Sequence, residues 1–481
     1  MEKAIYCGNI YSWINICDKV KGDVIRLNSQ SVLEWVNKHG KDSYLIFGTD
    51  VIPFTIFNYP ESPIEKTPIF EYMNRGGRVI WAGDVPFFYI EKGGDKVISK
   101  ETAVIFGHVD YFIDKAVFTS VENSIVGELL GYRPVESFRP IHASRELIPI
   151  SYHVEEDKIF YSSWIKMIGN NGGAFVRVYD TKYVDVDYLL SLPERLENLG
   201  EGIRILNFKK FDKKIDIKLP KFKVLVIIGD NNVGKTTILE ALSFLSSIDQ
   251  LDKIAKYRNT SLQEVLDLIK RNTRIEAFLN GKYALRRWNA QWGNMDLQLI
   301  LPRVSEDLEK MNISVEQLRE ISKRVKDNID SKIHYIYLTV EGQEKKKVLR
   351  VLFEDLSDIR LDDLGQGYRS LIYFFLHYFT KPYDVVMIDD MEAFAMHPEL
   401  LKKVIKILLG SESKFIITTQ SMDIEYYIAD VAVEEKKSDM VYYLLLKNDG
   451  SYEIYNADEA LKEMDFIDLR YKAIQREVRS D

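Results

Sequence analysis

The chain has 481 residues, of which 46% are hydrophobic and 29% are charged, and its net charge is −8. This length exceeds what one hydrophobic core fills, so it predicts two or three domains and excludes a single small binding module. The sequence has no apolar run of ~18 residues and no secretory leader, which argues against a membrane protein and predicts a cytoplasmic location.

The first 200 residues alternate short apolar strands with amphipathic stretches. Strands are predicted at Ala4–Cys7, Val24–Leu27, Tyr44–Phe47, Arg78–Ala82 and Thr102–Phe106. Between the third and fourth strands, a helical stripe that includes Ile69 and Met73 ends at Gly76 and Gly77. This alternation predicts an α/β domain of the doubly wound, flavodoxin-like kind, with a parallel sheet.

The end of this domain is predicted near residue 200. A turn at residues 170–173 joins two strands and suits an antiparallel extension of the sheet. The helix-like segment LPERLENLGEG then stops at Gly200 and Gly202, which divides the chain into residues 1–200 and 201–481. The net charge is −6 before this boundary and −2 after it. The two cysteines, Cys7 and Cys17, are too few for a disulfide framework, so we expect a reducing interior.

The strongest motif lies directly after the apolar strand Val224–Ile228 and directly before a helical run. It consists of Gly229, Asp230, Asn231, Asn232, Val233, Gly234, Lys235, Thr236 and Thr237. The two glycines let the loop wrap around a phosphate, and the helix N-terminus favours the negative charge. In such a P-loop the lysine neutralises the β- and γ-phosphates and the following threonine ligates Mg²⁺. Because no Asn-Lys-x-Asp pattern for guanine occurs, we expect ATP with Mg²⁺.

An insert of helices and strands is predicted at about residues 250–332. Helices are expected at Leu251–Lys256, Leu262–Arg271 and Ser305–Ile329, with a strand-rich stretch before Ile300. A hairpin then follows, with strands Ile333–Val340 and Val348–Phe353 and the polar tip EGQEKKK. No heptad pattern persists, which excludes a long coiled-coil arm.

Two further motifs follow the hairpin. Gly365 and Gly367, in LGQGYR, precede a helical run and predict either a second anion-binding helix N-terminus or an ordinary glycine cap. An apolar strand then ends in Asp389 and Asp390. With a P-loop upstream, Asp389 is expected to hold Mg²⁺ through water and Asp390 to orient or deprotonate the attacking water.

The ordered segments NFKKF, GDNNVGKTTILEAL, LGQGYRS, VVMIDD and FIITTQS resemble the ABC-type ATPase heads of the RecF/SMC superfamily, particularly its OLD-like branch. The resemblance runs from Ile203 to about Ala429. It implies a P-loop ATPase fold and a homodimer that ATP closes. In that dimer Gly365 and Gly367 of one copy would contact the γ-phosphate held by the other, and Asp389 would be the Walker B aspartate.

Three departures from that family stand near the expected catalytic residues. Asp390 lies where glutamate is usual in the family, and Gln420 lies where a switch histidine is common, so by position both are candidate catalytic residues. Because both differ from the usual residues, we expect slow turnover of ATP. The stretch MEAFAMHPEL resembles the family's acidic-x-Leu-His-Pro segment, with one residue more before His397. The roles of Glu392 and His397 are therefore left open.

The first domain resembles class I glutamine amidotransferases in YLIFGTD, EYMNRGGRVIWAGD and GNNGGAFVRV. Those enzymes need a cysteine at a strand-to-helix elbow and a His-x-Glu pair. His153 and Glu155 have the spacing of the pair, but the elbow expected at residues 106–109 has no cysteine. We therefore expect a non-catalytic domain that binds a protein or a small ligand. Three residues after strand ends are either ligand contacts or turn caps: Asp50, Asp84 and His108.

The segment from Arg204 to Lys223 is the most basic of the chain. On a hairpin, alternate lysines share one face that can follow the phosphates of duplex DNA. The candidate DNA contacts are Lys209, Lys210, Lys213 and Lys214. A solvated strand face is an equally good interpretation.

These motifs predict an ATP-dependent dimerising switch that couples closure to DNA or to a partner protein, in genome maintenance or defence. The alternative is a regulatory module in which the first domain senses a small molecule and the ATPase toggles assembly. A third interpretation is an active amidohydrolase gated by ATP.

Overall fold

The computed structural model describes residues 1–464 except 23, 100, 107–118, 156–157, 182, 289, 294, 302–312, 343–345 and 380–382. The chain divides into two compact units. One comprises Met1–Gly202 with Ala290–Asn294, and the other comprises Ile203–Asn289 with Met295–Asp481.

The first unit contains most of the early strands. They are β1 Glu2–Tyr6, β2 Ile25–Leu27, β3 Ser43–Phe47, β4 Ile52–Pro53, β5 Arg78–Ala82, β6 Tyr89–Lys92, β7 Asp95–Ile98, β8 Glu122–Asn123, β9 Ile141–His142, β10 Leu147–Glu155, β11 Lys158–Ile168 and β12 Gly173–Val178. Its helices are α1 Ser31–Lys38, α2 Pro68–Asn74, α3 Ile125–Leu130 and α4 Val186–Glu197.

The main sheet of this unit has the order β2-β1-β3-β5-β12-β11-β10-β8, with β9 paired to β11. The first five strands are parallel, and β11 and β10 continue the sheet antiparallel. The predicted parallel sheet with an antiparallel extension is therefore confirmed. Strands β3 and β5 are almost wholly buried, as their continuous apolar sequences predict.

The prediction of a strand at Thr102–Phe106 is wrong. Residues 101–106 form a 3-10 helix instead of the strand Thr102–Phe106. The Thr102 hydroxyl donates to the carbonyl oxygens of Phe87 (2.7 Å) and Ser99 (2.9 Å), and the Phe106 ring stacks on Phe175. These contacts hold the segment across an aromatic cluster instead of along a sheet edge. The remainder of the expected elbow, with His108, lies outside the described residues.

The cysteines correct a second expectation. Cys7 and Cys17 form a disulfide, with their Cα atoms 5.9 Å apart. Cys7 directly follows β1, and the Cys17 side chain lies beside Gly48 at the end of β3. The bond stands against the reducing interior that the low cysteine count suggested.

The second unit contains most of the remaining elements. The strands from here on are β13 Glu201–Phe208, β14 Ile215–Leu219, β15 Val224–Ile228, β16 Ile269–Leu279, β17 Lys282–Arg287, β18 Ala290–Gly293, β19 Leu297–Ile300, β20 Ile333–Glu341, β21 Lys346–Phe353, β22 Asp358–Arg360, β23 Val385–Ile388, β24 Lys414–Thr418, β25 Val441–Leu446 and β26 Tyr452–Asn456. The helices are α5 Lys235–Ser246, α6 Ile248–Tyr257, α7 Leu262–Asp267, α8 Val315–Asn328, α9 Gln366–Phe379, α10 Pro398–Gly410, α11 Met422–Glu434 and α12 Ala457–Met464.

The central sheet of this unit has the order β19-β23-β24-β15-β25-β26, and all of its strands except β26 are parallel. Its two faces bury two different cores. Val224, Val226 and Ile228 point into the core with α8 to α12, whereas Leu225 and Ile227 point into the core with α5 and β13 to β17. Because β23, β24 and β15 are adjacent and parallel, their carboxyl ends meet at one edge of the sheet.

The helix predicted at Leu251–Lys256 lies within α6, and the other two predicted helices of the insert differ more from the structure. The helix expected at Leu262–Arg271 ends at Asp267, and β16 begins at Ile269. Ser261 and Glu264 close its N-terminus with a capping box. The helix expected from Ser305 is described from Val315 onward, and its first part falls outside the described residues. Within the described part of the chain, no helix combines the length and apolarity that a membrane crossing needs.

Candidate nucleotide-binding site

The loop from Gly229 to Gly234 turns sharply between β15 and α5. Gly229 has a φ of 145° and Gly234 a φ of 114°, which residues with side chains rarely adopt. A Cβ on Gly229 would lie 2.4 Å from the Leu446 carbonyl oxygen, and one on Gly234 would lie 2.7 Å from the Phe211 ring. Both positions therefore need glycine, and the tight loop that results is the cradle a phosphate requires.

The other residues of the loop divide into anchors and exposed positions. Val233 is buried in the core beneath the loop. Asp230 is half-buried, whereas Asn231 and Asn232 are exposed. Asn232 is left-handed, with a φ of 67°, a conformation that asparagine tolerates. The predicted Thr237 is half-buried on the first turn of α5.

Lys235 is the first residue of α5 and is buried. Its Nζ donates to the carbonyl oxygens of Gly229 (2.8 Å) and Asp230 (2.9 Å). These bonds hold the ammonium group against the loop, at the positive end of a helix. An anion seated there meets a fixed charge and a favourable dipole together.

Asp389 connects the P-loop helix to the neighbouring strands. Its Oδ1 accepts hydrogen bonds from the hydroxyls of Thr236 (3.2 Å) and Thr418 (2.6 Å). The pKa of Asp389 is raised to about 6, chiefly by burial and also by the nearby Asp390 carboxylate, while the two threonine hydrogen bonds oppose the shift. A divalent cation at this position would favour the ionised carboxylate.

The residues present fit an ATP-bound Mg²⁺ ion. The Thr236 hydroxyl and the Asp389 carboxylate both offer oxygen atoms, which are the ligands that Mg²⁺ prefers, and a hydrogen bond joins the two groups. The glycine cradle lies beside them. Mg²⁺ usually takes one or two protein ligands, with phosphates and water supplying the rest. The described residues contain no cluster of three or more His, Cys, Asp or Glu side chains that could hold a metal ion.

Asp390 has an unusual backbone conformation. Its φ of 48° and ψ of 64° are left-handed, and its N–H donates to the Thr418 hydroxyl (2.9 Å). Aspartate tolerates this region better than glutamate does, which gives a physical reason for the shorter carboxylate at this position. Burial raises the pKa of Asp390 and so does Glu392, whereas Lys235 and Arg258 lower it.

Glu392, whose role the sequence left open, lies next to the expected switch position. Its Oε2 accepts from the Thr419 hydroxyl (2.7 Å), and its Oε1 accepts from the backbone N–H of Gln420 (2.9 Å). Gln420, two residues after the end of β24, is exposed. His397 is exposed and caps α10 through its Nδ1, 3.4 Å from the Glu399 N–H. Glu392 thus contacts the candidate site, whereas His397 serves as a helix cap.

The two glycines of LGQGYR lie at the start of α9. Gly365 is exposed, and a Cβ there would meet nothing within 4 Å. A Cβ on Gly367 would lie 3.1 Å from the carbonyl oxygen of Ala395. The open space at Gly365 leaves room for a ligand or a second chain to approach the helix N-terminus.

Two of the lysines expected to bind DNA instead face the P-loop. Lys209 and Lys210 lie in the turn after β13, so they do not share a strand face as predicted. The Lys209 Nζ is 2.9 Å from Oε2 of buried Glu240, whose Oε1 pairs with Arg258. The Lys210 Nζ donates to the Asn232 carbonyl oxygen. This part of the DNA prediction is therefore corrected, because both cations already bind the P-loop and its helix.

The rest of the basic segment is mixed. Arg204 is buried against Asp216 (2.6 Å) and Glu276 (3.4 Å), so it serves the interior. Lys213 and Lys214 are exposed, and Lys214 lies 3.3 Å from Asp216. Three of the four candidate DNA contacts are therefore exposed: Lys210, Lys213 and Lys214.

In the first unit, the candidate residues Asp50 and Asp84 have structural partners. Asp50 caps a turn, since its carboxylate accepts the N–H groups of Ser12 (2.7 Å) and Trp13 (2.8 Å). Asp84 pairs with Arg139 at 2.8 Å, and burial raises the pKa of its carboxyl. His153 lies in β10 and is buried, and neither ring nitrogen has a hydrogen-bond partner.

Sequence reasoning missed several residues of the site. Thr418 contacts both aspartates because β24 lies between β15 and β23. Glu240 and Arg258 also escaped notice, although the acid in GKTTILEAL follows Lys235 by five positions and therefore lies on α5. Only the strand order could reveal Thr418, whereas a buried acid on an otherwise apolar helix was a readable signal for Glu240.

Two sequence families match separate parts of the chain. Residues 18–191 match the MJECL34 family, and residues 201–291 match an AAA ATPase domain. No curated protein matches at a significant level. The AAA match includes the P-loop with Lys235 and Thr236 and supports an ATP-binding ATPase domain. The amidotransferase resemblance of the first unit is not confirmed and stays a prediction.

Several solved structures are similar to part of the chain. An SMC head bound to the C-winged helix domain of ScpA has 15% identity and a TM-score of 0.36, over 53% of this chain and 97% of that chain. The SMC head domain from Thermotoga maritima has 14% identity and a TM-score of 0.34, over 53% and 98%. An SMC head with an extended coiled coil, bound to a ScpA domain and derived from Pyrococcus furiosus, has 14% identity and a TM-score of 0.33, over 55% and 98%. The sequence identities and the TM-scores are too low to carry a function from these structures to this chain.

Proposed function

We propose that this chain is an ATP-dependent switch whose ATPase domain binds ATP with Mg²⁺, pairs with a second copy and hydrolyses ATP slowly. Closure of the pair is then coupled to duplex DNA or to a partner protein, in genome maintenance or defence. In this proposal Lys235 and the loop N–H groups hold the phosphates, Thr236 and Asp389 hold the metal, and Asp390 orients the attacking water with Gln420 nearby.

The observation that carries the proposal is the arrangement around Asp389. A glycine cradle, a lysine at a helix N-terminus and a threonine–aspartate pair converge at one edge of the sheet. Each group alone has an ordinary structural explanation. Together they supply the anion contacts and the hard oxygen ligands that a metal-bound triphosphate needs.

Pairing of two copies is supported by the surface at the start of α9. Gly365 is exposed directly before the first residue of α9, and a Cβ placed on it would meet nothing within 4 Å. A second copy that brings a nucleotide phosphate to this terminus would meet a favourable dipole. Slow hydrolysis is supported by the short side chain and left-handed backbone of Asp390.

The proposal is tested by calorimetric titration of the full chain with ATP and Mg²⁺, together with phosphate release. The wild type is expected to bind and to release phosphate slowly, and Lys235→Ala is expected to lose binding. Lys462→Ala, an exposed lysine of α12, is the matched control and should behave as the wild type. A wild-type chain that binds no ATP would overturn the proposal.

A second candidate function uses the first unit as a sensor. Asp84 follows β5 and Asp180 follows β12, and each carboxylate faces an arginine, at 2.8 Å from Arg139 and 3.5 Å from Arg177. These charges lie at the carboxyl ends of parallel strands, where α/β sheets bind ligands. A small anion that stabilises the full chain and changes its ATP-dependent mass would favour this function over DNA coupling.

A further inference from the structure

A strained turn follows the Walker B strand. Asp390, with a φ of 48°, and Ala395, with a φ of 51°, flank the 3-10 helix Met391–Phe394. Residues other than glycine hold left-handed conformations only where the surroundings fix them. Here Met391 and Phe394 are buried in the core, which fixes the turn from below. We call residues 390–396 the link turn.

On one side, the link turn is latched to the end of β24. Glu392 accepts hydrogen bonds at both carboxylate oxygens, from the Thr419 hydroxyl (2.7 Å) and the Gln420 N–H (2.9 Å). The Asp390 N–H donates to the Thr418 hydroxyl (2.9 Å). Thr418, the last residue of β24, and the two residues that follow it are thus held by two residues of the link turn.

On its other side, the link turn contacts the start of α9. The Ala395 carbonyl oxygen lies so close to Gly367 that a Cβ there would approach it to 3.1 Å. The Ala395 N–H donates to the Glu392 carbonyl oxygen (3.1 Å), so Ala395 and Glu392 belong to one hydrogen-bonded turn. A displacement of Glu392 therefore reaches Gly367 through a single rigid turn.

We propose that Glu392 is a positioning residue that ties Thr419 and Gln420 to the start of α9 through the link turn. This inference rests on the proposed function, because it concerns how the hydrolysis side of one copy controls the helix that meets the other copy. Glu392 touches no nucleotide in this scheme. It keeps the end of β24 and the LGQGYR segment in register.

The test compares Glu392→Ala and Gly367→Ala, singly and together, in the full chain. We expect Glu392→Ala to lower kcat by about tenfold to a hundredfold, while the Kd for ATP with Mg²⁺ changes less than about threefold. Because both substitutions disturb one turn, the double variant should lose less than the product of the two single losses. A merely local role for Glu392 predicts that the losses multiply.

Glu392→Gln serves as the second variant, since it keeps the size of the side chain and replaces one acceptor oxygen by a donor. Glu399→Gln, at an exposed acid on the first turn of α10, is the matched control and should leave kcat unchanged. Wild-type kcat in both Glu392 variants, or losses that multiply in the double variant, would overturn the inference. A wild type that binds no ATP overturns the proposed function instead, and that result is visible before any variant is made.

Discussion

Glu240 provides a prediction whose size follows from the structure. The side chain is 1% exposed and pairs with Lys209, which is 9% exposed, and with Arg258, which is 41% exposed. Glu240→Gln leaves the buried ammonium of Lys209 without its counter-charge, and breaking a buried pair in this way costs ~3–5 kcal/mol. The exposed Arg258 adds at most ~1 kcal/mol. Since glutamine retains some hydrogen bonding, we expect the free energy of unfolding of the second unit to fall by about 3 kcal/mol.

Urea unfolding followed by circular dichroism measures this loss as a midpoint shift of about 1 M for an m-value near 3 kcal/mol/M. Adding Lys209→Met to Glu240→Gln removes the orphaned cation and should restore part of the stability. A Glu240→Gln midpoint within experimental error of the wild type would refute the buried ion pair. It would return Lys209 to the set of candidate DNA contacts.

Three further predictions concern other parts of the molecule. Burial lowers the pKa of His153, so the unfolded chain takes up a proton that the native chain resists. The free energy of unfolding of His153→Leu, relative to that of the wild type, should therefore rise as the pH falls from about 7 to about 5. A difference in unfolding free energy that does not depend on pH would contradict this. Lys213→Glu with Lys214→Glu should weaken duplex DNA binding and reduce its salt slope by about two, whereas an unchanged slope would exclude this patch. Asp390→Glu should raise kcat about tenfold, because the longer side chain extends the carboxylate toward the water. It should also lower the free energy of unfolding by about 1 kcal/mol, because glutamate tolerates the left-handed region less well. A lower kcat would show that the backbone strain outweighs the benefit of the longer side chain.

The parts of the site that the sequence predicted are those encoded in continuous segments. The P-loop is readable because Gly229 and Gly234 are needed by the backbone itself, and Lys235 and Thr236 follow at fixed offsets on the helix. The strand before Asp389 is readable because it is a continuous apolar run. Local pattern therefore determines both the element and its chemical groups.

The contacts that sequence reasoning missed join segments far apart in the chain. Glu392 is 28 residues from Gln420, and Lys210 is 22 residues from Asn232. A run of lysines looks the same whether it faces solvent or caps a P-loop, so the basic segment was misread at Lys209 and Lys210. The 3-10 helix at residues 101–106 was misread for a similar reason, since the Phe106 ring stacks on Phe175, a contact between distant segments that the local apolar pattern does not show.

The most direct test is the mass of the Asp390→Asn chain, measured by light scattering with and without ATP and Mg²⁺. Asparagine tolerates the left-handed backbone as aspartate does, so the substitution removes the charge that we propose activates water and leaves the turn intact. The variant is expected to bind ATP, to hydrolyse it far more slowly than the wild type and to double its mass. ATP binding with no change of mass would contradict a switch that works by pairing two copies.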